Sequence, residues 1–493
     1  MQEKYILSID QSTAGTKALL FDNKGDLICR SDKSHRQIID EKGWVEHDPE
    51  EIYRNTVEAV KAVVEKAGID KSLIVGVGIS NQRETAMAWD RGTGKPVYNA
   101  IVWQCARGEA ICKEIEKAGH AEEIRKATGL NLSPYFSAAK LAWILQNVPG
   151  VKEKAQAGEL CMGTMDSWEV FRLTGGKSFK TDYSNASRTQ MFNIFDLTWD
   201  EHICSLFGID TACLAQVCDT NANYGETDFE GFLPHPIPIH GVIGDSHGAL
   251  FGQGCLQKGM IKTTYGTGSS VMMNIGETPM LSASGVVTSI AWGMDGRVEY
   301  VLEGNINYTG AVMKWIVEDL GLLSSPKEAS KTAMAANEED ETYLVPAFTG
   351  LGAPYWDSDA KAVIYGMTRT TGKNEIVRAA EDCIVYQIAD IIGIMSRESG
   401  ISIDSLRVDG GASRDCYLMQ FQSDILGIPV RVASVEELSG VGAAYTAGLA
   451  LGVYAKEVFE RMTRQDYLPQ MDAATRAKKR AGWDKALSVV LTK

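Results

Sequence analysis

Three places in this chain put a carboxylate or a glycine turn at the end of an expected strand, where chemistry could be done. Asp245 follows Val242-Ile243-Gly244, and Gly266-Thr267-Gly268-Ser269-Ser270 comes shortly after it. Asp10 ends a run that begins at Tyr5 and opens the polar turn Gln11-Ser12-Thr13-Ala14-Gly15-Thr16-Lys17. A carboxylate can take a proton from a hydroxyl or orient a divalent cation. A glycine turn leaves backbone N–H groups free to approach phosphate oxygens. A base beside a phosphate cradle is what moving a phosphoryl group onto a hydroxyl requires. Each piece also has a plainer reading. Asp10 could close an Asx-turn, Asp245 could cap a turn, and Gly-Thr-Gly is a common turn on its own.

The elements that would hold these residues alternate between strand and helix. Strands are expected at 5–9, 17–21 and 27–29, a β-meander rather than a strand, glycine loop and helix, and no GxxxxGK[ST] occurs here. Asp48-Pro49-Glu50-Glu51 predicts a helix start with an N-cap, a first-turn Pro and a Glu three after the cap. Ile52, Ala59, Val60, Val63 and Val64 fall on one face of that helix. The strand at 74–79 delivers Asn81-Gln82-Arg83-Glu84 at its end, where α/β proteins place their sites. Residues 105–160 read as helices broken at Pro134-Tyr135-Phe136-Ser137, and 161–240 as mixed. The second half repeats the order. Strand 262–264 leads into the Gly/Thr turn, and a hairpin spans 286–302 around Met294-Asp295-Gly296. A helix covers 309–320, strand 406–408 ends at Asp409-Gly410-Gly411, a helix starts near Ser413, and a final helix covers 439–451.

At 493 residues the chain needs more than one core, and two domains are the natural expectation. A net charge of −15 disfavours nucleic acid and anionic membrane as partners. The 10 cysteines form no CxxC pair, which fits reduced thiols in the cytoplasm rather than a cysteine zinc site. The N-terminal residues have no signal-peptide pattern, and no apolar window is long enough to enter a membrane.

Longer stretches carry a resemblance. Asn81-Gln82-Arg83-Glu84-Thr85, Asn99-Ala100-Ile101-Val102-Trp103-Gln104-Cys105, the run from Pro346 to Asp357 and Met419-Gln420-Phe421-Gln422-Ser423-Asp424 resemble the FGGY family of carbohydrate kinases, and within it the glycerol kinase branch. Tyr135, Ser137, Lys140 and Trp143 meet a family signature at its spacing. The resemblance implies an α/β fold of two ribonuclease-H-like (actin-like ATPase) domains around a central cleft. Residues 1–250 would carry the polyol site and first phosphate loop, and residues 251–493 the nucleotide site. It implies ATP and Mg²⁺, with Asp245 as general base and Asp10 as the metal-orienting carboxylate. Arg83, Glu84, Trp103 and Tyr135, with Asp245, Ser246 and Ser270, would bind a small polyol or ketose. Ser12, Thr13, Lys17, Gly266, Thr267, Gly310, Lys314, Gly411 and Asp415 would line the ATP site. A homodimer or homotetramer is the expected assembly.

The departures from that branch fall in the acceptor pocket and around the base. Ser246 stands where the branch has Gln, Ser270 where it has Phe, Lys17 where it has Arg, and Lys314 and Asp415 where it has Gln and Asn. His247 has no assigned role. The two large-to-small changes at Ser246 and Ser270 suggest a roomier pocket, hence a tetritol, pentitol or xylulose as alternative acceptors. The sugar-bisphosphate regulation known in the branch is not carried over, because 230–235 contains no Arg. An actin-like ATPase or chaperone without a small acceptor is the alternative from another class. The polyol residues speak against it, and the retained Asp10 and Asp245 speak against a degenerate sugar sensor.

Overall fold

The computed structural model describes residues 3–492; Met1, Gln2 and Lys493, at the outer ends of the two expected domains, lie outside the described residues. The first sheet is built from β1 (Tyr5–Gln11), β2 (Gly15–Phe21), β3 (Leu27–Ser34), β4 (Ile74–Asn81), the short β5 (Glu226–Thr227) and β6 (Ile237–Gly244), in the order β5-β6-β4-β1-β2-β3. β1, β2 and β3 run antiparallel, while β4 and β6 are parallel to β1. The second sheet contains β7 (Ile261–Tyr265), β8 (Ser269–Gly276), β9 (Val287–Met294), β10 (Arg297–Ile306), β11 (Leu406–Gly410), β12 (Val430–Ala433) and β13 (Arg464–Tyr467), in the order β9-β10-β8-β7-β11-β12-β13. Its β10-β8-β7-β11-β12 core repeats the pattern of β3-β2-β1-β4-β6: three antiparallel strands, then two parallel crossovers. The repeated motif order read from the sequence is thus a repeated topology.

The helices that matter below are α1 (Pro49–Ala67), α2 (Ala121–Thr128), α3 (Ser137–Asn147), α4 (Glu201–Leu206), α5 (Asp245–Gly252), α6 (Gly310–Lys314), α7 (Lys373–Ser399), α8 (Cys416–Leu426), α9 (Leu438–Ala450) and α10 (Ala473–Val490). α1 starts as expected: Asp48 accepts from the Glu50 N–H at 2.9 Å, Pro49 takes the first position, and the predicted apolar face is buried. The expected reciprocal cap does not form. Glu51 instead accepts from the Arg36 N–H at 3.2 Å, which ties the helix to the preceding strand region.

α9 comes late in the chain but packs on the first sheet, against β1, β4 and β6, and crosses α5. Ser8 Oγ donates to the Gly440 carbonyl at 2.7 Å across this junction. The α5–α9 crossing is backbone on backbone. A Cβ added at Gly442 would lie 1.9 Å from the Gly248 oxygen, so neither helix could carry a side chain there. α5 begins with Asp245, so this contact fixes the height and direction of that carboxylate.

The expectation that the helix at 439–451 is the last one is corrected by α10. Its sequence hides the apolar stripe among Arg476, Lys478, Lys479 and Arg480, and only Trp483, Ala486, Leu487 and Val490 are buried. That spacing of three, four and seven is a single helical face. Trp483 anchors it, stacking on Tyr386 with ring centroids 5.1 Å apart and donating from Nε1 to Asp390 at 2.8 Å.

Candidate active site

Parallel pairing brings the first three functional stretches together. Asp10 sits opposite Ser80, Gln11 opposite Asn81, and Gly244 opposite Asn81. The loops leaving β1, β4 and β6 therefore emerge side by side, carrying Asp10, Arg83-Glu84 and Asp245. In the second sheet Tyr265 pairs with Gly410, which sets the Gly266-Thr267 turn beside Gly411.

Arg83 is the centre of the acceptor side. It is buried, and its two terminal nitrogens donate to both oxygens of Glu303 at 2.9 Å each. Its Nε lies 3.1 Å from Asp245 Oδ1, an ion pair without hydrogen-bond alignment. Gly244 makes room for this, since a Cβ there would come within 2.7 Å of Arg83 Cγ. Glu84 lies beside Arg83 and receives Arg188 Nε at 2.6 Å. Its backbone is left-handed, with φ of 60°, a strained conformation for a residue with a side chain and one that concentrates at functional sites. Trp103 donates from Nε1 to Thr13 Oγ1 at 2.9 Å, and its ring packs 5.6 Å from that of Tyr135. The Asp245 side chain is 33% exposed, in contrast to its buried partners. A buried guanidinium and carboxylate, an aromatic pair and an open carboxylate together suit a ligand with several hydroxyls and C–H faces.

The sequence reading missed the residues that support this wall. Glu303 and Arg188 complete a buried network: Arg188 Nη1 lies 3.0 Å from Glu303, and Glu303 comes from β10 of the second sheet. Burial by itself would raise the Glu303 carboxyl, but Arg188 and Arg83 outweigh it and hold it well below the usual range. An acid inside the apolar run Val301-Leu302-Glu303-Gly304 was the available signal. Lys140, quoted only as part of the signature, caps the segment that bears Tyr135. Its ammonium donates to the carbonyls of Pro134, Tyr135 and Phe136 at 2.7, 2.5 and 3.0 Å. Burial pulls its pKa down to about 7. His247 is buried, with burial and then Arg83 pushing its pKa well below the usual imidazole range, and it lies 3.2 Å from Ser289 Oγ.

On the phosphate side, Ser12 closes the β1–β2 turn by donating to the Gly15 carbonyl at 2.9 Å. Lys17 lies 3.8 Å from Asp10 and 2.5 Å from Glu437, which also pairs with Arg30. The Gly266 carbonyl accepts from the Gly310 N–H at 3.0 Å, and the Thr267 carbonyl from the N–H groups of Thr309 and Ala311. Gly411 faces open space. Lys314 and Asp415 are engaged within the protein. Lys314 is exposed and paired with Glu318 at 3.5 Å, and Asp415 caps α8 by accepting from the Leu418 N–H at 3.0 Å.

Burial lifts Asp10 from the usual 3.8 to about 6, with Glu437 and Asp245 adding to the rise and Lys17 opposing it. A buried oxygen donor whose ionisation is opposed by burial, Glu437 and Asp245 fits Mg²⁺ arriving with a nucleotide, and Asp10 would hold it. The ion would supply positive charge against the phosphates. A raised acid favours the protonated, ligand-free fold. That contribution is complete below 3.8 and is lost as pH rises through about 6. MgADP affinity is therefore expected to climb up to about tenfold per pH unit below that value and level off above it. Calorimetry between pH 5 and 8 measures this against Asp10→Asn, whose residual slope reports the nucleotide's own protons. Equal slopes in both proteins would remove Asp10 from the metal role.

Residues 5–252 match the N-terminal domain of the FGGY family of carbohydrate kinases, and residues 261–451 match its C-terminal domain. The chain belongs to the FGGY family of carbohydrate kinases. It is an enzyme that transfers a phosphoryl group from ATP, with two actin-like ATPase domains. Among its relatives in this family, "Glycerol kinase 1" of Thermotoga maritima is 49% identical over 491 residues, 99% of this chain and 100% of that protein. The glycerol kinase of Oceanobacillus iheyensis is 46% identical over 99% of this chain and 98% of its own length. The crystal structure of Plasmodium falciparum glycerol kinase with ADP superposes with a TM-score of 0.94 at 36% identity, covering 99% of each chain. Xylulose kinase from Lactobacillus acidophilus shares the fold, with a TM-score of 0.88 at 21% identity. Among the described residues no helix is long and apolar enough to cross a membrane.

Proposed function

We propose that this FGGY kinase phosphorylates a primary hydroxyl of glycerol, with Asp245 as the general base. The observation that carries this reading is the buried Arg83, paired on one side with Glu84 and on the other with the open Asp245 carboxylate, together with the Trp103–Tyr135 aromatic pair. In this reading Arg83 donates hydrogen bonds to hydroxyl oxygens while Glu84 accepts hydrogen bonds from hydroxyl groups, so both senses of a polyol hydroxyl are met. Trp103 and Tyr135 cover its C–H edges. Asp245 takes the proton of the attacking hydroxyl as the γ-phosphoryl group moves. The turn at Ser12 and Thr13, with Lys17, and the Gly266-Thr267 turn with Gly310 hold the phosphates, and Gly411 borders the base. Lys314 and Asp415 take part only if ATP draws them from Glu318 and the α8 cap. The polyol site and the first phosphate loop belong to residues 1–250 and the nucleotide site to 251–493, so closure of the cleft joins the two substrates and excludes water. Mg²⁺ on Asp10, a cytoplasmic location and a homodimer or homotetramer complete the reading.

A second reading has a specific observation behind it. Ser246 and Ser270 are small, and Ser270 Oγ lies 3.4 Å from Glu303, within the network that holds Arg83. A longer polyol or xylulose could use the room and hydroxyl that a Phe would deny. Initial rates with glycerol, erythritol, threitol, xylitol and xylulose decide. Glycerol is expected to lead in kcat/KM by at least tenfold, about 1.4 kcal/mol in the barrier. A larger acceptor ahead by that margin would transfer the assignment to it, and ADP release indifferent to every polyol would remove the kinase role.

A further inference from the structure

The fold builds a second cluster of ligating side chains on the surface, outside the cleft. His120 immediately precedes α2, Glu123 lies in the first turn of α2, and His202 lies in the first turn of α4. Their ligand atoms all lie within 4.8 Å of one another. His120 Nδ1 and His202 Nε2 converge on the same oxygen, Glu123 Oε1, the second at 3.4 Å. Residues some eighty positions apart in the sequence thus present two imidazoles and a carboxylate to one point. We propose that this cluster is a binding site for a divalent transition metal of the zinc class.

The chemistry selects that class. Two imidazoles with one carboxylate suit Zn²⁺, Co²⁺, Ni²⁺ or Cu²⁺, whereas Mg²⁺ takes oxygen ligands. Tetrahedral bonds of about 2.0–2.1 Å put neighbouring ligand atoms roughly 3.4 Å apart, the His202–Glu123 spacing seen here, and side-chain shifts of about 1 Å would bring the other pairs to it. The side chains are 35%, 45% and 62% exposed for His120, Glu123 and His202, which leaves the remaining position to water. The elements beneath are anchored. Asp200 caps α4 by accepting from the Ile203 N–H at 3.0 Å, and the Ala127 carbonyl of α2 accepts from the Ile194 N–H at 3.0 Å. A bound ion would join, at the surface, two helices whose inner faces share one apolar core through Ile124, Ile203 and Cys204. It would also brace the far end of α2, where the Gly129 carbonyl accepts from the Thr288 N–H of β9 at 3.0 Å.

The test uses tag-free, full-length protein with Zn²⁺ for calorimetry and Co²⁺ for its d–d absorption. One equivalent is expected, with a tetrahedral Co²⁺ spectrum. His202→Ala and Glu123→Gln should each weaken binding by about tenfold or more. Zn²⁺ should raise the Tm of the wild type but not of His202→Ala. Kinase activity with Mg²⁺ should be unchanged in both variants, since neither residue belongs to the cleft. Undiminished affinity in His202→Ala would assign the metal to the cysteines or the cleft and overturn the proposal. So would the absence of saturable binding by the wild type.

Discussion

Replacing Asp245 by asparagine is expected to lower kcat by about 10³-fold while leaving ADP affinity and fold stability nearly unchanged. Asparagine keeps the shape of the side chain and can still accept the Ser246 N–H, which now reaches Oδ1 at 2.6 Å. It cannot take a proton. Arg83 would lose its contact with Asp245 but keep Glu303 and Glu84, so its buried charge stays compensated. The variant carries a second signature. Asp245 is one of the charges that push Asp10 upward, so its neutralisation should move the pH midpoint of MgADP binding to lower pH. Steady-state rates with saturating polyol and calorimetry with MgADP measure both effects. A variant retaining a tenth of the wild-type kcat would falsify the base assignment. A large drop in ADP affinity would instead make Asp245 a residue of the nucleotide site.

The sequence reading reached the functional side chains but not the framework that holds them. Asp10, Arg83, Glu84 and Asp245 stand at the ends of apolar strand runs, and the parallel register of β1, β4 and β6 brings those ends together. Alternation and turn chemistry are local signals, so they were readable. The α5–α9 crossing was not. It depends on Gly248 and Gly442, which are far apart in the chain and mean nothing until two backbones meet. α10 escaped for a related reason, because its basic surface outweighs a stripe that only the Tyr386 and Asp390 side of α7 makes apolar and satisfied.

Within the site the same division holds. Tyr135 was placed by its motif, yet its position depends on Lys140 spending all three ammonium donors on three successive carbonyls. Lys314 and Asp415 were matched by position to the nucleotide, whereas their side chains are occupied by Glu318 and by the α8 cap. A matched position therefore fixes where the backbone lies, and the partner that a side chain chooses depends on neighbours from other segments.

The largest stability effect is expected at Glu303, a residue with no part in the proposed chemistry. It meets both Arg83 and Arg188, at 2.9 and 3.0 Å, and all three are buried. Glu303→Gln keeps the shape and leaves two buried guanidiniums facing Glu84 and the partly exposed Asp245. Removing one member of a buried ion pair costs about 3–5 kcal/mol, because the remaining charge stays desolvated. The network makes a further demand, since Glu303 belongs to β10 of the second sheet while Arg83, Glu84 and Arg188 come from the first half of the chain. Its loss should loosen the seam along which the halves meet and let Arg83 turn away from the acceptor site. The expected pattern is a lower midpoint in urea, a raised KM for the polyol and a much smaller change in KM for ATP. Glu303→Asp, which restores the charge at a shorter reach, should recover part of the stability and part of the polyol KM. A stable Glu303→Gln protein with an unaltered polyol KM would mean that Glu84 and Asp245 alone hold Arg83 in place. Equal rises in both KM values would point instead to a general distortion of the cleft.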